Sequence, residues 1–223
     1  MSIGFRVLQR SRQVSAQLVE RYRSVPVANI SDSMNRMTAG GPRLRPVHRE
    51  GVLAGPALTV KCRPGDNLML HYALDIAQAG DVIVVDAGGD LSNALIGEMM
   101  LAYAQKKQLG GIVINGAIRD AASIRASDFP VFAAGITHRG PYKDGPGEIN
   151  VPVAFDGMVV EPGDLVIGDD DGLLCVPYAD AEQVLEKAVA KHAAEAQQLR
   201  DIAHGVNDRS WVINSLRAKH CEL

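Results

Sequence analysis

Arg119 and Asp120 stand side by side in "GGIVINGAIRDAAS", residues 110–123, where an apolar run gives out. The guanidinium is a planar fork suited to a carboxylate or an enolate oxygen. The aspartate offers hard oxygen ligands suited to Mg²⁺ or Mn²⁺, ions that keep several waters and need few protein carboxylates. Glu98, in "GEMM" at 97–100, is a second carboxylate, able to hold a water at such an ion. A helix starting near Gly97 would present unpaired N–H groups over Gly97, Glu98, Met99 and Met100, and its dipole would favour a small anion such as a carboxylate. A helix starting earlier, near Asn93, would weaken that reading. A divalent ion chelated by a 2-oxo acid stabilises a developing enolate. Adjacent Arg and Asp at a strand end also serve as a loop ion pair or a helix N-cap, and their spacing alone does not choose.

These residues need elements to position them. "DVIVVDAGG" from Asp81 and "GIVINGAI" from Gly111 read as short buried strands, and "FPVFAAGI" from Phe129 as a third. Between the first two lies a strong helix over about 94–108, stopped by Gly110 and Gly111; "RDAASIRAS" begins a short helix before the third strand. The βαβαβ rhythm predicts parallel strands with helices on at least one face. Ligands in such sheets favour the carboxyl ends of the strands. If the first two strands are neighbours, Asp86, Gly88 and Gly89 converge with the helix start and with Arg119 and Asp120.

Upstream, 14–23 reads as a helix, Ser31 or Asp32 as the N-cap of a short helix, 51–65 as a strand broken at Gly55-Pro56, and 66–80 as a helix. After residue 137 the turn pairs Gly-Pro, Asp-Gly and Pro-Gly predict β-hairpins. From Ala179 to about Ala203 the pattern is helical, with Asp180 as a possible N-cap, and a polar tail follows. The chain is expected to be one domain over 1–223, with a core of about 25–178 and a C-terminal helix and tail over 179–223.

Composition narrows the classes. The 223 residues are 47% hydrophobic and 22% charged, with a net charge of −3, and carry no nucleic-acid footprint. Aromatics at 4% argue against a base-stacking surface. Cys62, Cys175 and Cys221 lack paired spacing and read as reduced thiols. The N-terminus lacks a signal-peptide core, and no apolar run approaches the ~18 residues of a membrane span. A cytoplasmic protein is expected.

The combination "GEMM…GGIVINGAIRD", with twenty residues between Glu98 and Arg119, resembles the class II 4-hydroxy-4-methyl-2-oxoglutarate aldolases. That family also holds the regulator of ribonuclease activity A, and its members were formerly labelled demethylmenaquinone methyltransferases. Its pattern is an acid, twenty residues, Arg-Asp, two residues and an acid. Here Glu98 stands where Asp is usual, and Ser123 replaces the last acid. "GPGEINVPVAFDGMVVEPGDLVIGDDDGLLCVP" is also similar, so the resemblance covers roughly 25–205.

The resemblance implies an α/β fold: a swivelling β/β/α domain with parallel and hairpin strands flanked by helices, plus a C-terminal helical extension. It implies a homotrimer or homohexamer with sites at subunit interfaces. Asp120 would ligate Mg²⁺ or Mn²⁺ mostly through waters, Arg119 would contact the pyruvate unit, and backbone around Gly97 to Met100 would bind its carboxylate. Glu195 best matches a glutamate given by a neighbouring subunit. The implied reaction is metal-dependent cleavage of a 4-hydroxy-2-oxo acid to pyruvate through its enolate, with Glu98 aiding proton removal and oxaloacetate decarboxylation as a side activity. No lysine is placed for a Schiff base. The alternative, from a different class, is a non-catalytic regulator that binds a ribonuclease; the intact Arg119-Asp120 pair favours the enzyme. A lyase or hydrolase acting on a related sugar acid also stays open.

Other residues read as structural. "GDDDG" at 168–172 is expected to be a hairpin turn, "GPGE" at 145–148 a turn, and His71 a helix-face residue. His138 could line the site, and Asp86 could support it from behind. No strand is followed by the GxGxxG turn that a nucleotide-bearing cofactor would use.

Overall fold

The computed structural model describes residues 3–38 and 40–223. In chain order the elements begin with β1 (Phe5–Val7), α1 (Ala16–Arg23), α2 (Val27–Ser33), β2 (Arg45–Pro46), β3 (Leu53–Cys62) and α3 (Leu68–Ile76). The site-bearing stretch comprises β4 (Val82–Asp86), β5 (Ala94–Ile96), α4 (Glu98–Lys106), β6 (Gly111–Ile118), α5 (Ala121–Arg125) and β7 (Val131–Ile136). Strand β8 (Gly147–Ile149) follows, then the hairpins β9 (Val153–Phe155) with β10 (Met158–Val160) and β11 (Leu165–Asp169) with β12 (Gly172–Val176). Helices α6 (Ala181–Ala203) and α7 (Ser210–Ala218) close the chain.

The centre is the parallel run β3-β4-β6-β7; β4, β6 and β7 are parallel as the βαβαβ rhythm predicts, and β3 extends the run. Its strands are apolar on both faces because both faces are covered. Ile83, Val85, Ile112 and Ile114 join the core under α3, α4 and α5, while the alternating Val82, Val84 and Val113 join a second core with Phe132, Met158 and Val160. The β11–β12 hairpin repeats the logic. Val166 and Cys175 face that second core; Ile167 and Leu174 face a third, filled by Tyr22 of α1, Ile30 of α2 and Leu185 of α6. The layers therefore run helix, sheet, sheet, helix, in agreement with the expected α/β class.

Strand β3 joins the two sheet layers. Leu53 to Pro56 pair antiparallel with β11, whereas Ala57 to Lys61 pair parallel with β4 and Val60 to Cys62 antiparallel with β8. Gly55 lies where the strand changes partners, with Gly80 O so close that a side chain would not fit.

Two local expectations change. Ser31 and Asp32 lie inside α2, whose N-cap is Pro26; proline at that turn costs no helical hydrogen bond and starts the helix early. Asp180 holds the N-cap position of α6 as expected, although its side chain makes no capping bond. Residues 94–96 are strand, so the helix begins at Glu98. Strand β6 outlasts β4: Asp86 is the last β4 partner, opposite Asn115, and Ala117 and Ile118 then pair with Ala94 and Ile96. That open edge captures the apolar "ALI". The "GDDDG" turn joins β11 to β12, as expected. Cys62 and Cys175 are buried in different cores and Cys221 is exposed. Burial pushes the Cys62 thiol up to about 12 and the Cys175 thiol upward as well. Among the described residues no helix is long and apolar enough to cross a membrane.

Candidate active site

The site forms where β6 outruns its neighbour. Arg119 N–H donates to Ile96 O at 2.9 Å, extending the β5–β6 pairing by one residue. Asp120 then takes a left-handed conformation, φ 53° and ψ 39°, at the start of α5. Aspartate adopts that region more readily than most residues, although it remains strained. Asp120 Oδ2 accepts the Glu98 N–H at 3.0 Å, tying the end of β6 to the first turn of α4. Asp120 holds the N-cap position of α5 but makes no side-chain bond there; its carboxylate instead accepts the first N–H of α4, and its Arg119 contact, Nε to Oδ2, is a loose 3.8 Å. The helix-capping reading is therefore met in part, across to a different helix.

Gly97 permits this approach. Its φ of −150° is ordinary extended backbone, so the constraint is space. A methyl group there would collide with Asp120 Oδ2 and come within 3.0 Å of Arg119 Cγ. With Glu98 N–H already engaged, the Met99 and Met100 N–H groups are the next donors; among the described residues neither has a backbone acceptor. Ser123 Oγ donates to Glu98 Oε2 at 3.0 Å.

These groups open onto a cleft of about 210 Å³ whose walls include Gly97, Met99, Met100, Arg119 and Asp120. Glu98 is exposed beside it and is not one of its walls. Asn67, His71 and Lys143 form the other side. Buried Asp66 places the last of these: its Oδ2 accepts the N–H groups of Asp144 and Gly145 at 2.8 and 2.9 Å, and Asn67 N–H donates to Tyr142 O. Burial and then the Lys143 charge hold the His71 imidazole below its ordinary value.

Several expectations need correcting here. His71 lines the cleft, because α3 turns this face toward it, while His138 does not line it. Asp86, Gly88 and Gly89 do not reach it either; Asp86 sits level with Asn115, four residues short of Arg119, and accepts from Asn115 Nδ2 and Gly88 N–H at 3.0 Å. A lysine, Lys143, does stand at the cleft, carried by a loop that sequence spacing does not locate. Glu195 lies on α6, accepting from Asn29 Nδ2 at 2.6 Å and pairing with Lys191 at 3.1 Å, and is not a wall of its own chain's cleft.

The residues present fit a hard divalent ion. Asp120 Oδ1 makes no hydrogen bond among the described residues, and the buried Asn67 Oδ1 in the same cleft has no donor. No cluster of three or more His, Cys, Asp or Glu exists among the described residues, so an ion here would keep most of its waters, as Mg²⁺ does, rather than take a zinc-like ligand set. Among larger hollows, one of about 330 Å³ lies between α2 and β12; another, about 430 Å³, holds Arg43, Arg45, His48 and Arg125 but no carboxylate; a third, about 280 Å³, shares His71, Met99 and Met100 with the cleft.

Fold and cleft together define an α/β protein with a cleft walled by Arg119, Asp120 and Lys143 at the carboxyl edge of its parallel strands. The chain belongs to the RraA-like family, described as Aldolase/RraA, whose profile matches residues 27–175. It is 37% identical over 194 residues to a Halalkalibacterium halodurans protein provisionally named 4-hydroxy-4-methyl-2-oxoglutarate aldolase, covering 87% of this chain and 92% of that one. Streptomyces coelicolor RraAS2, described as an unusual member of the RNase ES inhibitor RraA family, superposes with a TM-score of 0.75 at 29% identity, over 83% of this chain and 96% of that one. The RNA-processing inhibitor RraA from Thermus thermophilis superposes with a TM-score of 0.65 at 30% identity, over 69% and 93%.

Proposed function

We propose that this protein is a divalent-metal-dependent lyase that cleaves a 4-hydroxy-2-oxo acid, of the 4-hydroxy-4-methyl-2-oxoglutarate type, to pyruvate by retro-aldol chemistry. Oxaloacetate decarboxylation is a side activity, because loss of CO₂ leaves the same enolate. The observation that carries this reading is the pairing of Arg119 with an Asp120 anchored to the α4 N-terminus, both walls of one cleft. The name of the Halalkalibacterium relative supports it.

An ion held by Asp120, Mg²⁺ or Mn²⁺, would supply Lewis-acid stabilisation to the carboxylate and ketone of the substrate. The Met99 and Met100 N–H groups and the α4 dipole receive the 2-oxo acid's carboxylate. Arg119 donates to the ketone oxygen, where charge builds as the C3–C4 bond breaks. Glu98 accepts the proton from the 4-hydroxyl, directly or through one water. Lys143, across the cleft, faces the distal part of the substrate and favours a second carboxylate there. Glu195 of a neighbouring copy, in a trimer or hexamer, assists the same proton transfer.

The second reading, a non-catalytic regulator of a ribonuclease, rests on the likeness to RraA structures at 29% and 30% identity. Oxaloacetate decarboxylation, followed with added Mg²⁺, with chelator, and in Asp120→Ala, separates the two. Turnover is expected to need the metal and to fall on the order of 10²-fold or more in Asp120→Ala. Turnover that survives chelator or that substitution overturns the assignment; a folded protein with no turnover at all favours the regulator.

A further inference from the structure

We infer that Ser123 is a positioning residue that sets the Glu98 carboxylate for proton transfer, an inference that rests on the lyase reading above. Three hydrogen bonds close a ring at the α4–α5 junction. Glu98 N–H donates to Asp120 Oδ2 at 3.0 Å, Ser123 N–H donates to Asp120 O at 3.0 Å, and Ser123 Oγ donates to Glu98 Oε2 at 3.0 Å. Glu98 is thus held at both its backbone and its side chain by two residues of one turn, and one of those is the proposed metal ligand. An exposed glutamate on the first turn of a helix otherwise samples several rotamers, and reactive geometry is lost as it does so. The hydroxyl restricts the carboxylate through Oε2 and leaves Oε1 without a partner among the described residues. In this chain the serine supplies a neutral donor where the family pattern has an acid, so it holds the Glu98 carboxylate by a direct hydrogen bond. Ser123 itself is not a wall of the cleft, so its effect on chemistry passes through Glu98.

The test is steady-state aldol cleavage by the full-length metal-loaded protein carrying Ser123→Ala, Ser123→Thr, or Ser123→Ala combined with Glu98→Ala, with oxaloacetate decarboxylation, which has no 4-hydroxyl proton to remove, as the control. Ser123→Ala should lower kcat for cleavage about tenfold with KM within about twofold, the size expected for a hydrogen bond to a charged group, and leave decarboxylation within about twofold. Ser123→Thr, which keeps Oγ, should restore most of kcat for cleavage. In the Glu98→Ala background the serine substitution should cost nothing further. A crystal structure of Ser123→Ala should show the Glu98 side chain displaced from its wild-type rotamer. Unchanged kcat for aldol cleavage in Ser123→Ala, an equal loss in cleavage and decarboxylation, an equal loss in both backgrounds, or an undisturbed Glu98 rotamer overturns the positioning role. If the wild type itself lacks metal-dependent turnover, the lyase reading falls and this inference falls with it; if the wild type turns over and Ser123→Ala matches it, only the positioning role is lost.

Discussion

Asp120 and Glu98 are joined by one hydrogen bond, carboxylate Oδ2 to backbone N–H at 3.0 Å, across a gap that only a glycine at 97 leaves open. The bond fixes the direction in which the remaining carboxylate oxygen is available. It also joins the metal-ligand candidate to the helix start that would receive the substrate carboxylate. Neither could shift without the other.

Gly97→Ala tests that coupling. The added methyl must push Asp120 or Arg119 aside, while the backbone of residue 97 is one that alanine adopts without strain. Decarboxylase kcat/KM should drop on the order of 10²-fold, the cost of misplacing reacting groups by about an ångström. The thermal midpoint should stay near the wild-type value, since the site faces solvent. Full activity in this variant would show that Asp120 need not sit where it does.

Lys143 can serve the reaction as a charge or as an amine nucleophile, and two measurements separate these roles. As a charge facing a distal carboxylate, Lys143→Met should raise KM for a dicarboxylic 2-oxo acid about tenfold and leave kcat within about threefold. As a Schiff-base lysine it would be trapped by borohydride in the presence of pyruvate. We expect no pyruvate-dependent adduct by mass spectrometry.

Acid stability depends on a different carboxylate. Glu148 accepts from Arg6 Nε and Nη2 at 2.7 and 2.8 Å and from Gly4 N–H at 2.7 Å, pinning β1 onto β8. The Arg6 hydrogen bond, then that of Gly4, holds its carboxyl down to about 2 from an ordinary 4.5. The folded state thus releases this proton more readily than the unfolded chain does. The resulting stability is present above pH 4.5 and is lost as pH falls toward 2. In Glu148→Gln the pH slope of unfolding free energy across that window should be shallower by up to about 1.4 kcal/mol per pH unit, the limit for one proton. Urea titrations at several pH values measure it; equal slopes in both proteins would show that the pair adds nothing.

The parallel strands and the Arg119-Asp120 pair were legible because they are local: apolar runs, glycine stops and adjacent residues need no partner to be seen. Residues 94–96 were misread as helix because "ALI" suits either state, and the choice is made by the free β6 edge, a long-range fact. His71 and Lys143 were missed for the same reason. They meet only because Asp66 clamps the 142–145 backbone from more than seventy residues away. A buried aspartate just ahead of a helix start is the one sequence signal that could have pointed there.

The double allegiance of β3 has a consequence for how the molecule comes apart. One continuous strand is woven into both sheet layers, so neither layer can melt while the other keeps its full complement of neighbours. Heat or denaturant should therefore dismantle the cleft-bearing edge and the hairpin half in the same step, and circular dichroism and a fluorescence probe near the cleft should trace coincident curves.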